Sequence, residues 1–390
     1  MKLTEHVRYI GVSDPDLRVF DVVMHTQYGT TYNSYYVKGT EKSAIIDTVK
    51  ETFFDRWLEI MEAEGVDLGS LDYIVMNHTE PDHSGSIGRL LEKCPKAVVV
   101  ASQAGLNVAK EIVNGPFESI RAKDGEIIDL GGVTLQTISA PFLHWPDSIF
   151  TYVKEDGVLM SCDAFGFHHA APGVLEETMD VAELYSEQKY YFDVIMGPFK
   201  PHVQKAIAAI RDLDIRMICP SHGPVLNRDP MGAVNRYEEW SRPEAKGEKP
   251  QGVVAYVSCY GYTRVLAQAI ARELTEMGAD IRLMDVAEDG VDAVSAAIGE
   301  ADFLALGSPT FNRDALLPIW DVLARTSCIT NRNKKALAFG CFGWSGEAAG
   351  FLAQRMEQIG LKVVGTATCR MRPNQEKLDA VLETARKLME

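Results

Sequence analysis

The 390-residue chain has no CxxC pair, no apolar run long enough to span a bilayer and no surplus of basic charge. Each absence removes a class of function. Its seven cysteines, Cys94, Cys162, Cys219, Cys259, Cys328, Cys341 and Cys369, are odd in number and scattered. That pattern fits neither a disulfide framework nor a zinc or rubredoxin-type iron knuckle, and it points to a reducing compartment. A membrane span needs about 20 consecutive apolar residues, and the opening MKLTEHVRYIGVSD lacks the apolar core of a signal peptide. The formal net charge of −16 has the wrong sign for replacing counterions on nucleic-acid phosphates or for an anionic membrane surface. The expectation is a cytoplasmic protein with no nucleic-acid or membrane partner. At 46% hydrophobic and 24% charged residues the composition is ordinary for a globular protein, and the length suits two domains.

One composition break divides the chain. Ser241–Gln251 reads SRPEAKGEKPQ, with no apolar residue larger than alanine, which is a linker pattern. The boundary is placed near Pro250, giving domains 1–249 and 250–390. Short β-type runs dominate the first 160 residues: SYYVKG, SAIIDTV, YIVMNH, AVVVAS, EIIDLGG, VTLQTIS, SIFTYVK and GVLMSCD. Helical patterns at Phe53–Glu64 and Ala104–Val113 interrupt them, and RMICPSH adds a later strand. Many strands with interspersed helices predict two sheets with helices outside. Beyond the linker, VVAYVS, DIRLMDV, FLALGS, KALAFGC and KVVGTAT alternate with helical stretches such as Val265–Met277. That alternation predicts an open, doubly wound parallel α/β sheet.

The densest chemistry is His78-Thr79-Glu80-Pro81-Asp82-His83, directly after the strand-like YIVMN. Such a cluster is costly to bury unless a cation compensates it. His144 in PFLHWPDS, Asp163 in LMSCDAFG and His222 in ICPSHGP each follow a β-like run. Singly, each reads as a surface, core or turn-capping residue. Together with the hexapeptide they make four imidazoles and three carboxylates, too many for one tetrahedral ion and suited to two ions sharing a carboxylate. No thiolate is in the set, and nitrogen with carboxylate suits iron or manganese as well as zinc.

A second constellation lies in the last third. Ser258, Cys259, Tyr260, Gly261, Tyr262 and Thr263 form a strand-to-helix loop, where hydroxyls and backbone N–H groups make an anion site. The spacing is not GxGxxG, so a dinucleotide is not indicated. Two later loops, Ser308-Pro309-Thr310-Phe311-Asn312 and Cys341-Phe342-Gly343-Trp344-Ser345-Gly346, follow the third and fourth strands. Ligands bind beyond the carboxyl ends of such strands, and Trp344 there could stack on an isoalloxazine ring.

HxxxDH after a strand, followed by His, Asp and His at later strand ends, resembles the metallo-β-lactamase superfamily, whose hydrolases carry HxHxDH. Glu80 stands here in place of the second histidine. HxExDH with HWPDS and SCDAFG resembles the flavodiiron proteins (A-type flavoproteins), and the three later loops resemble a flavodoxin phosphate loop and its two ring-flanking loops. The resemblance covers essentially the whole chain. It implies a metallo-β-lactamase-like αββα sandwich followed by a flavodoxin-like sheet, with FMN and two iron ions as cofactors. It implies His78, Glu80 and His144 on one iron, Asp82, His83 and His222 on the other, and Asp163 as bridge. His25 and Tyr191 match pocket-lining positions, the Tyr190–Tyr191 doublet leaving the register open by one. Tyr262 departs from the small hydroxyl or amide residue common in the family.

The implied activity is reduction of O2 to water or NO to N2O, in head-to-tail homodimers or dimers of dimers. The implied electron donor is external: rubredoxin, or reduced coenzyme F420 (F420H2). Two other readings are a zinc hydrolase fused to a flavodoxin domain, against which Glu80 argues, and a non-enzymatic electron carrier or gas sensor.

Overall fold

The structure, a computed structural model, describes residues 1–22, 24–243 and 247–390. It divides into two compact units, Met1–Pro243 and Glu244–Glu390. The division falls inside the polar segment Ser241–Gln251, of which residues 244–246 lie outside the described residues.

The first unit holds a six-stranded and a five-stranded sheet. The six-stranded sheet runs, in spatial order, Val7–Tyr9, Tyr35–Lys38, Ser43–Ile46, Tyr73–Met76, Val98–Ala101 and Ser119–Arg121. The five-stranded sheet runs Ile127–Asp129, Thr134–Ser139, Ile149–Val153, Val158–Cys162 and Met217–Pro220. Side chains alternate between the faces of a strand. Ala44, Ile46, Val75 and Val100 therefore join Leu135, Ile149, Val153 and Met160 in one core. Ile45, Ile74 and Val99 point the other way and pack with helix residues Trp57, Leu90 and Leu106 in a second core. Burial on both faces explains why these strands read as continuous apolar runs. This is the expected αββα sandwich.

The second unit is one parallel sheet of five strands in the spatial order Asp280–Asp285, Gln251–Tyr256, Phe303–Gly307, Lys335–Phe342 and Lys362–Arg370. Numbered along the chain this is 2-1-3-4-5, the flavodoxin-like winding. Val253, Leu304 and Leu306 pack under helices on one face, and Val254, Ala305 and Leu337 under helices on the other. The crevice of such a sheet opens where the strand order reverses, between its first and third strands. The helix Tyr262–Glu276 starts there.

Among the described residues, no helix is long and apolar enough to cross a membrane.

Candidate functional site

The strand Tyr73–Met76 delivers the hexapeptide to the sheet edge, and Pro81 then opens the short helix Pro81–Ser84 with Glu80 as its N-cap residue. Proline suits that first helical position because its φ is already helical and its missing N–H is not needed. His78 and Glu80 thus lie on extended backbone, while Asp82 and His83 lie on a helical turn. Asp163 follows the strand Val158–Cys162, and His222 follows Met217–Pro220. Three strand ends and the His144 loop bring all seven expected ligands together.

They converge as two sets. Ligand atoms of His78, Glu80, His144 and Asp163 all lie within 4.8 Å of one another, as do those of Asp82, His83 and His222. Glu80 Oε2 is 3.2 Å from His78 Nε2 and 3.0 Å from His144 Nε2. Asp82 Oδ2 is 3.2 Å from His83 Nε2 and 3.1 Å from His222 Nε2. Asp163 stands between the sets. Its Oδ2 is 3.6 and 3.7 Å from the Nε2 atoms of His78 and His144. Its Oδ1 is 3.1 and 3.6 Å from those of His83 and His222.

Distance alone does not satisfy these groups. Asp82 Oδ1, both His83 ring nitrogens and both Asp163 oxygens are buried and make no hydrogen bond among the described residues. Such orphans ordinarily cost about 1–3 kcal/mol each. Lone pairs from several side chains aimed at a common point, without hydrogen-bond geometry, fit cations rather than one another.

Electrostatics agrees. Burial opposes charge on His78 and His83, but nearby carboxylates prevail. Asp147, Glu80 and Asp163 hold His78 well above the ordinary imidazole value, and Asp82 and Asp163 raise His83 to about 9. Burial likewise opposes the Glu80 and Asp163 carboxylates. Contacts with His144 and His78 hold Glu80 low, and His83, His78 and His144 hold Asp163 low. Imidazole protons do here what a metal does better, and metal must displace them.

Around the ligands lies a shell that the sequence did not reveal. Asp147 accepts from His78 Nδ1 at 3.1 Å to each oxygen, and from the Thr79 N–H and hydroxyl at 2.7 Å each. His222 Nδ1 lies 2.6 Å from the Thr31 carbonyl oxygen, which can only accept, so Nδ1 carries the proton and Nε2 is left for metal. Asp47 accepts the Asn77 N–H at 2.7 Å, and burial pushes its carboxyl up to about 7 against the pull of His83 and that N–H.

Beside the ligands is a cavity of about 350 Å³, walled by Phe20, Asp21, His168, Tyr191 and Ile195. Tyr191 is buried against His168, with ring centroids 5.1 Å apart, while Tyr190 is exposed. The doublet thus presents Tyr191. His25 is not brought to the cavity. It sits on the hairpin of Val19–Phe20 and Met24–His25, paired with Val19. Phe20 and Met24 turn inward, so alternation leaves Val19 and His25 outward and exposed.

In the second unit a cleft at the strand ends is lined by Ser258, Cys259, Tyr260, Tyr262, Thr263, Pro309, Thr310, Phe311, Cys341, Phe342, Gly343 and Met371. Met371 was not expected. Gly261 turns into the 15-residue helix Tyr262–Glu276 at φ +82° and has no side chain to cap it, and among the described residues the Ser258 hydroxyl accepts only from the Arg264 N–H, at 3.3 Å. The first N–H groups of the helix are therefore available to an anion. The Arg264 guanidinium is engaged by Asp285 at 3.1 Å and Glu288 at 3.6 Å, which leaves the backbone as the anion cradle. Ser308 does not face the cleft. Its hydroxyl donates to Pro309 O and accepts from the Leu316 N–H, both at 2.9 Å. Asn312, Ser345 and Gly346 also lie outside the cleft lining. Tyr260, in the lining, is 82% exposed; Trp344 is 81% exposed and lies outside the lining, next in sequence to Gly343, which is part of it. The arrangement fits a flat ring carrying a phosphate.

Residues 30–223 match the family described as ODP family beta lactamase, and residues 254–384 match flavodoxin. The chain is 38% identical over 386 residues to flavo-diiron protein FprA2 of Clostridium acetobutylicum, across 97% of this chain and 96% of that protein. It is 32% identical to a nitric oxide reductase of Moorella thermoacetica, across 99% and 97%. Among solved structures it is similar to rubredoxin oxygen:oxidoreductase of Desulfovibrio gigas, with TM-score 0.67 and 27% identity across 100% and 98%. The flavodiiron protein of Giardia intestinalis gives TM-score 0.65 and 28% identity across 100% and 96%.

Proposed function

This chain belongs to the flavodiiron protein family, and on that premise we propose that electrons pass from an FMN held by the second unit of one chain to two irons held by the first unit of its partner, reducing O2 to water, NO to N2O, or both. His78, Glu80 and His144 hold one iron, and Asp82, His83 and His222 hold the other. The reading rests above all on Asp163, whose two carboxylate oxygens face different ligand sets from a buried position. A side chain so placed joins two ions. Bound there, an iron pair would supply two electrons and a place for a diatomic gas, and a flavin in the second unit would supply two more. The sum matches the four needed for O2, while two NO need only two.

The chain's own residues do the rest. Asp147 and the Thr31 carbonyl fix the tautomers of His78 and His222. Phe20 and Ile195 limit water in the cavity, and the Tyr191 hydroxyl is positioned to serve an oxygen atom there. Backbone N–H groups at the helix following Gly261 would hold the FMN phosphate, and Tyr260, with Trp344 beside Gly343 in sequence, would offer aromatic faces to the ring. The electron donor is external, with rubredoxin the favoured candidate by the name of the Desulfovibrio gigas relative. The protein works in the cytoplasm.

The working form is a head-to-tail homodimer. Exposed Val22, Phe142 and Val194 adjoin in sequence residues at the iron cavity, and exposed Tyr260, Phe311 and Met371 line the flavin cleft, with exposed Trp344 adjoining its Gly343 in sequence. Two apolar rims on separate units suit the joining of one chain's flavin to its partner's irons.

The test is anaerobic purification, iron and flavin quantitation, and donor-driven consumption of each gas. Two irons and one FMN per chain with turnover are expected. Zinc in their place, with ester or thioester hydrolysis and no gas consumption, would overturn the reading.

A further inference from the structure

We propose that His168 is a fixed hydrogen-bond donor to the gas substrate, its Nε2–H directed into the iron cavity. The inference rests on the diiron reading of that cavity and assigns one more of its walls a chemical role.

The ring is held on three sides. It stacks on Phe20 at 4.1 Å between centroids, meets Tyr191 edge-on at 5.1 Å and leans on His222 at 4.7 Å. Its Nδ1 lies 2.9 Å from the Thr30 hydroxyl oxygen. Its Nε2 is buried and has no hydrogen-bond partner among the described residues, although the residue lines the cavity.

Which nitrogen carries the proton follows from the neighbours. His222 Nδ1 gives its proton to the Thr31 carbonyl at 2.6 Å, so it cannot accept one from Thr30, 3.4 Å away. The Thr30 hydroxyl has one proton and two remaining acceptors: His168 Nδ1 at 2.9 Å, and, at a longer 3.3 Å, the second lone pair of the Thr31 carbonyl that accepts from His222. The shorter contact takes it. Thr30 donates to Nδ1, and the neutral ring keeps its hydrogen on Nε2. A charged ring would carry the same Nε2–H, so the direction of donation does not depend on ionisation.

An N–H buried without an acceptor is costly, and a group that exists only to pack would be apolar. Here the missing acceptor is supplied by what enters the cavity. A diatomic that gains electrons becomes a stronger acceptor than the neutral gas, so a pre-positioned donor favours the reduced species over the bound gas.

Azide is the probe, titrated into the oxidised, iron-loaded protein. Its asymmetric stretch is recorded in H2O and D2O alongside its Kd, for the unsubstituted protein, His168→Phe and His168→Gln at matched iron content. The unsubstituted protein shifts its azide band in D2O. His168→Phe reduces or abolishes that shift and weakens azide roughly 10- to 100-fold, the range for a hydrogen bond to a charged group. His168→Gln, which restores an N–H, recovers most of both. Absence of any isotope shift in the unsubstituted protein overturns the proposal without recourse to a variant. So does an unchanged Kd and shift in His168→Phe. Iron content and gas turnover of the unsubstituted protein are read first. A protein without iron refutes the diiron reading itself, whereas an active iron protein indifferent to His168 refutes only this assignment.

Discussion

Replacing Asp147 with asparagine should strip iron from one ligand set and leave the other. Asp147 touches no metal in the proposed arrangement. It receives four contacts: one from His78 Nδ1 to each oxygen at 3.1 Å, and the Thr79 N–H and hydroxyl at 2.7 Å. An asparagine keeps one carbonyl oxygen. If that oxygen stays with Thr79, the new NH2 faces the His78 Nδ1–H, and two buried donors meet. An unsatisfied buried donor costs about 1–3 kcal/mol. His78 escapes by moving its proton to Nε2, the nitrogen needed for iron, so the cost falls on metal binding. Outer partners of this kind are worth about 10–100-fold in metal affinity, or roughly 1.4–2.8 kcal/mol, in line with the donor penalty. The other set is insulated, because His222 is fixed by the Thr31 carbonyl. The assay is chelator competition with iron counted per chain, and FMN absorbance serves as internal control. At a chelator concentration where the unsubstituted protein keeps both irons, Asp147→Asn should retain about one, with FMN unchanged. Equal retention of both, or loss confined to the Asp82–His83–His222 set, would refute the tautomer argument.

Metal affinity should rise with pH. His83 in the metal-free protein is raised from 6.5 to about 9, worth roughly 3 kcal/mol of preference for the charged ring. That stabilisation is complete below about 6.5 and lost as pH climbs through about 9, while iron must expel the same proton. The gap in Tm between iron-loaded and chelated protein should therefore widen from about pH 6 to pH 9, by calorimetry. A constant gap would contradict the linkage. Trp344→Ala should weaken FMN by roughly fivefold, from a stacking contribution of about 1 kcal/mol, and shift the flavin potential. Unchanged affinity and potential would mean that Trp344 takes no part. Two inactive variants, His78→Ala without iron and a flavin-loop variant without FMN, should regain partial turnover when mixed and allowed to exchange subunits. Zero activity with exchange proven by mass spectrometry would place electron transfer within one chain.

The sequence revealed most of the core strands and little of what supports the site. Strands such as Tyr73–Met76 and Val158–Cys162 are buried on nearly every residue, and their apolar runs are visible without tertiary knowledge. The N-terminal pieces Val12–Asp14, Val19–Phe20 and Met24–His25 span two or three residues each, too short for periodicity to register. The ligand hexapeptide stood out because four metal-competent residues within six positions have few other uses. Asp147 did not. It occupies the same HWPDS string as His144, but its partner His78 is 69 residues away, and only the fold brings the two together. His168 was hidden for another reason. It follows Ala-Phe-Gly-Phe, and what marks it is an unpartnered nitrogen, which no sequence records. His25 shows the reverse case. A histidine near a site in sequence is turned away by the two-residue alternation of a hairpin whose inward positions go to Phe20 and Met24.

Why this sandwich should do redox chemistry rather than hydrolysis comes down to Glu80. A histidine there would leave two carboxylates against two dications. Glu80 makes three, all facing the cluster: Glu80 toward one set, Asp82 toward the other, Asp163 toward both. Each added anionic oxygen stabilises the more highly charged metal state relative to the lower one, and hard oxygen donors suit ferric iron. The cavity wall works in the same direction. Beside Asp21, His168 and the ligands, Phe20, Tyr191 and Ile195 give it an aromatic and aliphatic portion, which suits a small neutral gas better than a peptide, ester or lactam that needs room and a delivered water. The remaining donors, at His168 and Tyr191, belong to the same cavity wall. A hydrolase needs one polarising metal and a nucleophilic water. This site places a carboxylate-rich pair beside a partly apolar cavity, a combination whose use is to move electrons onto something small.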